Sequence, residues 1–385
     1  MGKPLNCDEI SFWKKIMNTP LQQKFDALAL FSGGLDSILA ARLVQQQGIR
    51  VLGLHFVSPF FGHPDRIKEW EENYSIPVIP VDISCEFGKM LCQGPRHGIG
   101  KVLNPCLDCK ILMLNKAKTM LAEFNAGFII SGEVLGQRPM SQRLDALNII
   151  KRDADVKDIL VRALSARHLP PTKPEYTGIL DREKLGSISG RGRKMQMELA
   201  KRFNINPLPT PAGGCLLTEK ESAKRYLPLI KNKTNPAPED FHLANTGRQF
   251  WNNRYWLCIG RDRKDNARLE ALAGNKDYVF NLAYHPGPTG LGRPLDDKEW
   301  PLEMITDACR LLSRFSPRAR KSRRQVIVKV KHMDSEQDIL IWPSQIEHST
   351  MWQEPAWDRD LSRSIHHANN TTDFQEELQS DGNAN

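Results

Sequence analysis

Short apolar runs recur along the first half of the chain, at residues 27–31, 51–57, 78–83, 128–131 and 159–162. Between them the apolar positions change to helical spacing. After the first run, Ile38, Leu39 and Ala40 followed by Leu43 and Val44 lay one stripe along a helix. Continuous apolar runs separated by amphipathic helices are the pattern of buried parallel strands in βαβ units. A doubly wound parallel α/β sheet is therefore expected from Ala27 to about Ala212. Past a Pro/Asn-rich stretch at 232–240 the pattern changes. Residues 248–260 and 276–290 read as strands with turns, 297–315 as an amphipathic helix and 323–331 as another strand, which suits a smaller α+β domain. The expected division is a leader with one helix at 1–25, an α/β domain at 26–231, an α+β domain at 240–345, and a polar, acidic tail at 354–385 read as disordered.

Composition narrows the class. The 385 residues are too many for one ordinary core, and 40% hydrophobic with 26% charged content is that of a globular protein. No apolar run is long enough to cross a membrane and the N-terminus lacks an apolar signal core, so a cytoplasmic location is expected. The net charge of +9 biases the protein toward polyanions. Eight cysteines spread over the chain are too sparse for a disulfide scaffold.

The first apolar run leads into Phe31-Ser-Gly-Gly-Leu-Asp-Ser37 and then the helix. Ser32, Gly33, Gly34, Asp36 and Ser37 match neither the P-loop nor the G-x-G-x-x-G pattern. Two glycines admit close approach of an anion to backbone N–H groups, the serines donate hydroxyls, and the helix N-terminus faces the ligand. Asp36 suits a Mg²⁺ between itself and phosphate, or a helix cap. The alternative is a plain turn with a capping serine. Cys106 and Cys109 form a C-x-x-C, and Cys215 follows two glycines, Gly213 and Gly214. Such a trio supports metal ligation, an iron–sulfur cluster or redox exchange; two structural cysteines plus an unrelated third is the other reading.

The Ser-Gly-Gly-Leu-Asp-Ser loop resembles the pyrophosphatase loop of the adenine-nucleotide α-hydrolase superfamily. That resemblance implies ATP cleaved between its α and β phosphates, with AMP transferred to a substrate oxygen. His55 and Phe56 then end the second strand where adenine would lie. Residues 131–142, Ser-Gly-Glu-Val-Leu-Gly-Gln-Arg-Pro-Met-Ser-Gln, resemble a signature of the tRNA 4-thiouridine synthase family, onto which Gly132, Glu133, Gly136, Gln137, Ser141 and Gln142 map. Residues 159–171 resemble the segment that follows it there, and place Arg162 where it could neutralise phosphate. The C-x-x-C between loop and signature, with the later Gly-Gly-Cys, is similar to the 2-thiouridine synthases.

The resemblance covers roughly residues 25–220. It implies ATP-dependent thiolation of a tRNA uridine, to 4-thiouridine or 2-thiouridine. ATP and Mg²⁺ would sit on Ser32, Gly33, Gly34, Asp36 and Ser37, with Phe56, Gly132 and Gln137 beside them. Cys106, Cys109 and Cys215 would relay a persulfide or hold a 4Fe–4S cluster. The sulfur donor would be sulfide or a cysteine desulfurase persulfide. An adenylating amidotransferase of the same superfamily, and an RNA-binding protein with a vestigial loop, are the alternatives. Residues 248–331 look similar to an NFACT-R-type RNA-binding domain. Two basic stripes suit a phosphate backbone: Arg191, Arg193, Lys194, Lys201 and Arg202, and then Arg318, Arg320, Lys321, Arg323, Arg324, Lys329 and Lys331.

Overall fold

The computed structural model describes residues 24–209, 214–296, 298–343 and 351–361. Most of the expected leader, Gly213 and residues 362–385 of the expected tail lie outside them. The chain divides into two compact units at Thr218 and Glu219.

The first unit is built on a five-stranded sheet in the order β3-β2-β1-β4-β5. Its strands are β1 (Ala27–Leu30), β2 (Val51–Val57), β3 (Val78–Asp82), β4 (Phe128–Ser131) and β5 (Leu160–Arg162), all paired in parallel. All four residues of β1 are buried, as expected of a central parallel strand with both faces covered. The crossovers carry α1 (Leu35–Gln45), α2 (Ile67–Tyr74), α3 (Ser84–Gln93), α4 (Cys106–Met120) and α5 (Leu144–Asp153); α6 (Lys194–Arg202) follows β5. Ile38, Leu39, Leu43 and Val44 of α1 are buried in the core with Ala27 and Ala29 of β1, so the stripe seen in the sequence is the face turned to the sheet. The strand order steps one way from β1 to β3 and the other way from β4 to β5. The switch point, where ligands settle on such sheets, therefore lies beyond the carboxyl ends of β1 and β4.

The second unit holds a six-stranded antiparallel sheet, β11-β10-β8-β9-β7-β6. It comprises β6 (Arg248–Asn252), β7 (Tyr255–Ile259), β8 (Tyr278–Leu282), β9 (Gly290–Pro294), β10 (Val326–His332) and β11 (Ser335–Ile341). Helices α7 (Pro238–Ala244), α8 (Arg263–Leu272) and α9 (Leu302–Arg314) accompany it. The apolar stripe of α9, including Ile305, Ala308 and Leu312, packs in one core with Phe280, Val328 and Val330. Arg293 joins sheet to helix, bonding Asp277 at 2.7 Å and Asp240 at 3.1 Å while buried. The Pro/Asn-rich stretch at 232–240, expected to mark the boundary, lies inside this unit. It leads into α7, whose Phe241 packs edge-on to Tyr226 at 6.1 Å, so the segments on either side of the stretch are in contact within this unit.

Candidate active site

The loop after β1 and the segment after β4 meet at the switch point. Gly33 sits at φ +74°, and a Cβ there would lie 2.2 Å from the indole of Trp70. Only glycine fits that position on both counts. Trp70 is buried against Phe31, ring to ring 5.6 Å, and against His55 at 4.8 Å. His55 fixes the entry to the loop. Its Nε2 accepts from the His63 N–H at 2.8 Å, so its Nδ1 carries the proton and donates to the Phe31 carbonyl at 3.0 Å. Burial pushes its pKa down to about 4, so the imidazole is neutral at physiological pH. Inside the loop, Ser37 Oγ donates to the Gly34 carbonyl at 2.8 Å and stands 3.3 Å from both the N and the Oγ of Ser32. Gly34 occupies the N-cap of α1 with no side-chain cap. The first turn of the helix thus presents backbone N–H groups at the switch point, the arrangement that binds an anion.

Gly132 is the hinge between the two segments. A Cβ on it would lie 2.6 Å from the Asp36 carbonyl carbon and 2.7 Å from the Ser37 nitrogen, so the absent side chain lets β4 close on the first turn of α1. Gln137 Nε2 donates to Asp36 Oδ2 at 2.8 Å, and Gln196 Nε2 donates to Gln137 Oε1 at 3.1 Å. Arg193 stands 3.7 Å from the same Asp36 oxygen. Asp36 Oδ1 is buried with no hydrogen-bond partner among the described residues, a carboxylate oxygen disposed toward a cation or donor supplied from outside. The loop backbone, the serine hydroxyls and this orphan oxygen fit a Mg²⁺-bound polyphosphate.

Two residues expected at the ligand belong to the framework. Arg162 is 5% exposed and pairs with Glu133 at 3.0 Å while donating to the Leu147 carbonyl at 3.1 Å, so it is committed to a carboxylate rather than to phosphate. Burial opposes ionisation of Glu133, but Arg162 and Lys110, with hydrogen bonds from Arg162 and Ser131, hold its carboxyl below the usual range. Phe56, 5% exposed, is core packing in β2. In the other direction, Arg193, assigned from the sequence to an RNA stripe, stands at the glycine–serine loop, beside Asp36. A bridge between Leu135 and Ser189 draws its segment against the residues after β4. Trp70 and Gln196 carried no sequence signal, because each acts through space on a residue distant in the chain; Asn104 stands just ahead of the C-x-x-C and reaches across the chain to Met140.

Cys106 opens α4 and Cys109 lies one turn on. Asn104 Nδ2 donates to the Cys106 sulfur at 3.1 Å and stands 3.3 Å from the Met140 sulfur, joining the C-x-x-C to the segment after β4. Cys215 is drawn toward them by two backbone bonds: the Leu103 N–H to the Leu217 carbonyl at 3.1 Å and the Leu216 N–H to the Phe60 carbonyl at 3.0 Å. Burial, with charge on Cys215 and Cys106 adding to it, pushes the Cys109 thiol up to about 12, so it is protonated at neutral pH. The three sulfurs share one neighbourhood. Among the described residues no group of three or more His, Cys, Asp or Glu is arranged to hold a metal ion. A groove of about 730 Å³ lies at the other end of α1, between Leu43, Gln46, Lys184 and Arg202, away from these groups.

A parallel sheet with a glycine–serine loop at its switch point defines a doubly wound α/β domain. Comparison with known proteins makes this particular. Residues 23–164 match the family model described as thiamine biosynthesis protein (ThiI), and residues 247–353 match that of the NFACT protein RNA binding domain. The first match falls in the first unit and the second in the second unit. A "Probable tRNA sulfurtransferase" of Thermococcus kodakarensis is 26% identical over 156 residues, covering 39% of this chain and 39% of that protein. The tRNA sulfurtransferase of Tolumonas auensis is 25% identical over 210 residues, 49% of this chain and 41% of that one. The chain spans about two fifths of the length of these curated relatives. Among solved structures, a predicted subunit of tRNA methyltransferase from Methanocaldococcus jannaschii aligns over 46% of this chain and 75% of that one, with 12% identity and a TM-score of 0.29.

Proposed function

We propose that the protein thiolates a uridine of tRNA at the expense of ATP. The observation that carries the reading is the joining of two chemistries in one unit. An anion-binding loop lies at the β1–β4 switch point, and the segment after β4 that bonds its Asp36 also reaches, through Met140 and Asn104, the C-x-x-C. A uracil carbonyl oxygen attacks the α-phosphorus of ATP. A C–O–P bond forms, and pyrophosphate leaves onto the N–H groups of Gly34 and the first turn of α1. Mg²⁺ at Asp36 would offset the charge of the departing phosphates. The carbon, now bearing AMP as leaving group, is open to a soft sulfur nucleophile.

Sulfide can add directly, displacing AMP. Alternatively, the terminal sulfur of a persulfide on one cysteine adds, and a second cysteine attacks the sulfur still bound to the protein. A disulfide then forms, AMP leaves and the thiocarbonyl remains; an external thiol must reduce the disulfide before the next turnover. Asn104, donating to the Cys106 sulfur, favours Cys106 as carrier, because a donated hydrogen bond stabilises an anionic sulfur. The product is 4-thiouridine or 2-thiouridine according to which carbonyl is presented.

The test is incubation of the full chain with unmodified tRNA, ATP, Mg²⁺ and either sulfide or a persulfide donor, followed by mass spectrometry of the nucleosides. One thiouridine per pyrophosphate is expected. Pyrophosphate release with nitrogen rather than sulfur incorporated, or no ATP binding, would overturn the reading.

A further inference from the structure

In the second unit Val326, Val328, Val330 and Ile341 belong to the core. The alternation of a strand therefore turns Ile327, Lys329, Lys331, Leu340 and Trp342 to the opposite face. Trp342 is 61% exposed and Leu340, opposite Ile327 across the β10–β11 pair, is 56% exposed. Tyr284 stands at the same end of this ribbon. Leu282 pairs with Val328, the Ala283 N–H donates to the Ile327 carbonyl at 3.0 Å, and Tyr284 follows with 80% of its surface exposed. Directly ahead of β10 run Arg318, Arg320, Lys321, Arg323 and Arg324, all exposed. Ser316 Oγ, donating to the Pro286 carbonyl at 2.7 Å, holds the start of that run against the loop after Tyr284. None of the five cations forms an ion pair among the described residues.

We propose that this end of the β8-β10-β11 ribbon is a platform for an unpaired stretch of RNA. Tyr284 and Trp342 would stack on bases and the Arg318–Arg324 run would follow the phosphates. The uncompensated positive charge selects a polyanion. The exposed aromatic rings select one whose base faces are free, since a duplex keeps its bases stacked on one another and would leave both rings in water. The inference rests on the RNA part of the function proposed above and not on its sulfur chemistry.

The experiment measures binding of the full chain to a labelled, unstructured RNA of about 12 nucleotides, within the span of single-strand site sizes, and to a hairpin duplex with the same number of phosphates. Trp342→Ala and Tyr284→Ala are each expected to weaken single-strand binding about 5- to 100-fold, with the phenylalanine replacements restoring most of it. Duplex binding and the salt dependence should stay unchanged. Arg323→Gln combined with Arg324→Gln should lower the slope of log affinity against log salt by roughly 1.4 for the single strand. Equal losses for duplex and single strand, or no loss for either, overturn the platform. So does a self-association of the chain that Trp342→Ala abolishes while RNA affinity holds, since a second copy would then be the occupant. A chain that binds single strands through these residues but adds no sulfur to tRNA keeps the platform and removes the thiolation reading. A thiolating chain indifferent to both substitutions does the reverse.

Discussion

Gly132→Ala tests the geometry of the switch point with one methyl group. The added Cβ would meet the Asp36 carbonyl carbon and oxygen at 2.6 Å and the Ser37 nitrogen at 2.7 Å, all backbone atoms of the first turn of α1. Ordinary contact begins near 3.4 Å, so that turn and β4 must part by about 0.8 Å. Overpacking of this kind costs about 1–3 kcal/mol. For a unit of this size that lowers the melting temperature by roughly 2–10 °C. The functional cost is larger, because a displacement of about 1 Å in groups that position a reacting phosphate lowers the rate on the order of 100-fold. The assay is pyrophosphate release from ATP with tRNA present, alongside thermal unfolding of the same preparation. Gly127→Ala is the control, since its Cβ would find only the Asp26 carbonyl at 3.9 Å. A Gly132→Ala protein that melts lower as expected yet releases pyrophosphate within about twofold of the parent would refute the placement of the nucleotide at this turn.

The framework and the thiols give further tests. Because burial lowers the His55 pKa to about 4, the unfolded chain takes up that proton first as pH falls; stability should drop by about 3 kcal/mol from this group between about pH 6.5 and pH 4. Nitrogen NMR of the folded protein at about pH 5.5 should show a neutral, Nδ1-protonated ring, and a charged ring there would contradict the assignment. Glu133→Gln removes the charge opposing the buried Arg162 guanidinium and should cost about 3–5 kcal/mol in urea unfolding. A combined Glu133→Leu and Arg162→Met replacement should recover part of that. Asn104→Ala removes the donor to the Cys106 sulfur and should slow thiolation about 10-fold or more while leaving pyrophosphate release intact; equal loss of both activities would place Asn104 in the fold rather than in sulfur delivery.

The parallel sheet was legible because its strands are buried on both faces and so read as unbroken apolar runs; all five fall within a residue of the expected limits. Two strands of the second unit were not. In β9 the residues facing its neighbours include Gly290 and Gly292, chosen for close approach, since a Cβ on Gly292 would lie 2.6 Å from the Trp300 ring, and glycines carry no period. β11 begins Ser-Glu-Gln-Asp, an edge strand whose pairing with β10 supplies the order that its own side chains do not. The site was legible where one short segment contains both the backbone turn and its chemistry, as in Ser32–Ser37. It was not legible where the decisive contact crosses the chain: Trp70 beneath Gly33, Arg193 on Asp36, Asn104 against Met140.

Asp36 and Gln137 touch across 101 residues of sequence. β1 acquires its β2 neighbour from the very next crossover, but its other side stays an open edge until β4 is made. At a synthesis rate of about 5–20 residues per second, about 5–20 s separate the emergence of the two halves of the proposed site. During that interval the chain exposes a fully apolar strand edge and holds no competent loop partner. On the function proposed here, nucleotide binding would be a property that the nascent chain gains late, and ATP would favour only the sheet that is already complete. Fragments that end before β4, even with the whole glycine–serine loop included, are expected to behave as aggregation-prone half-sheets and not as small nucleotide-binding modules.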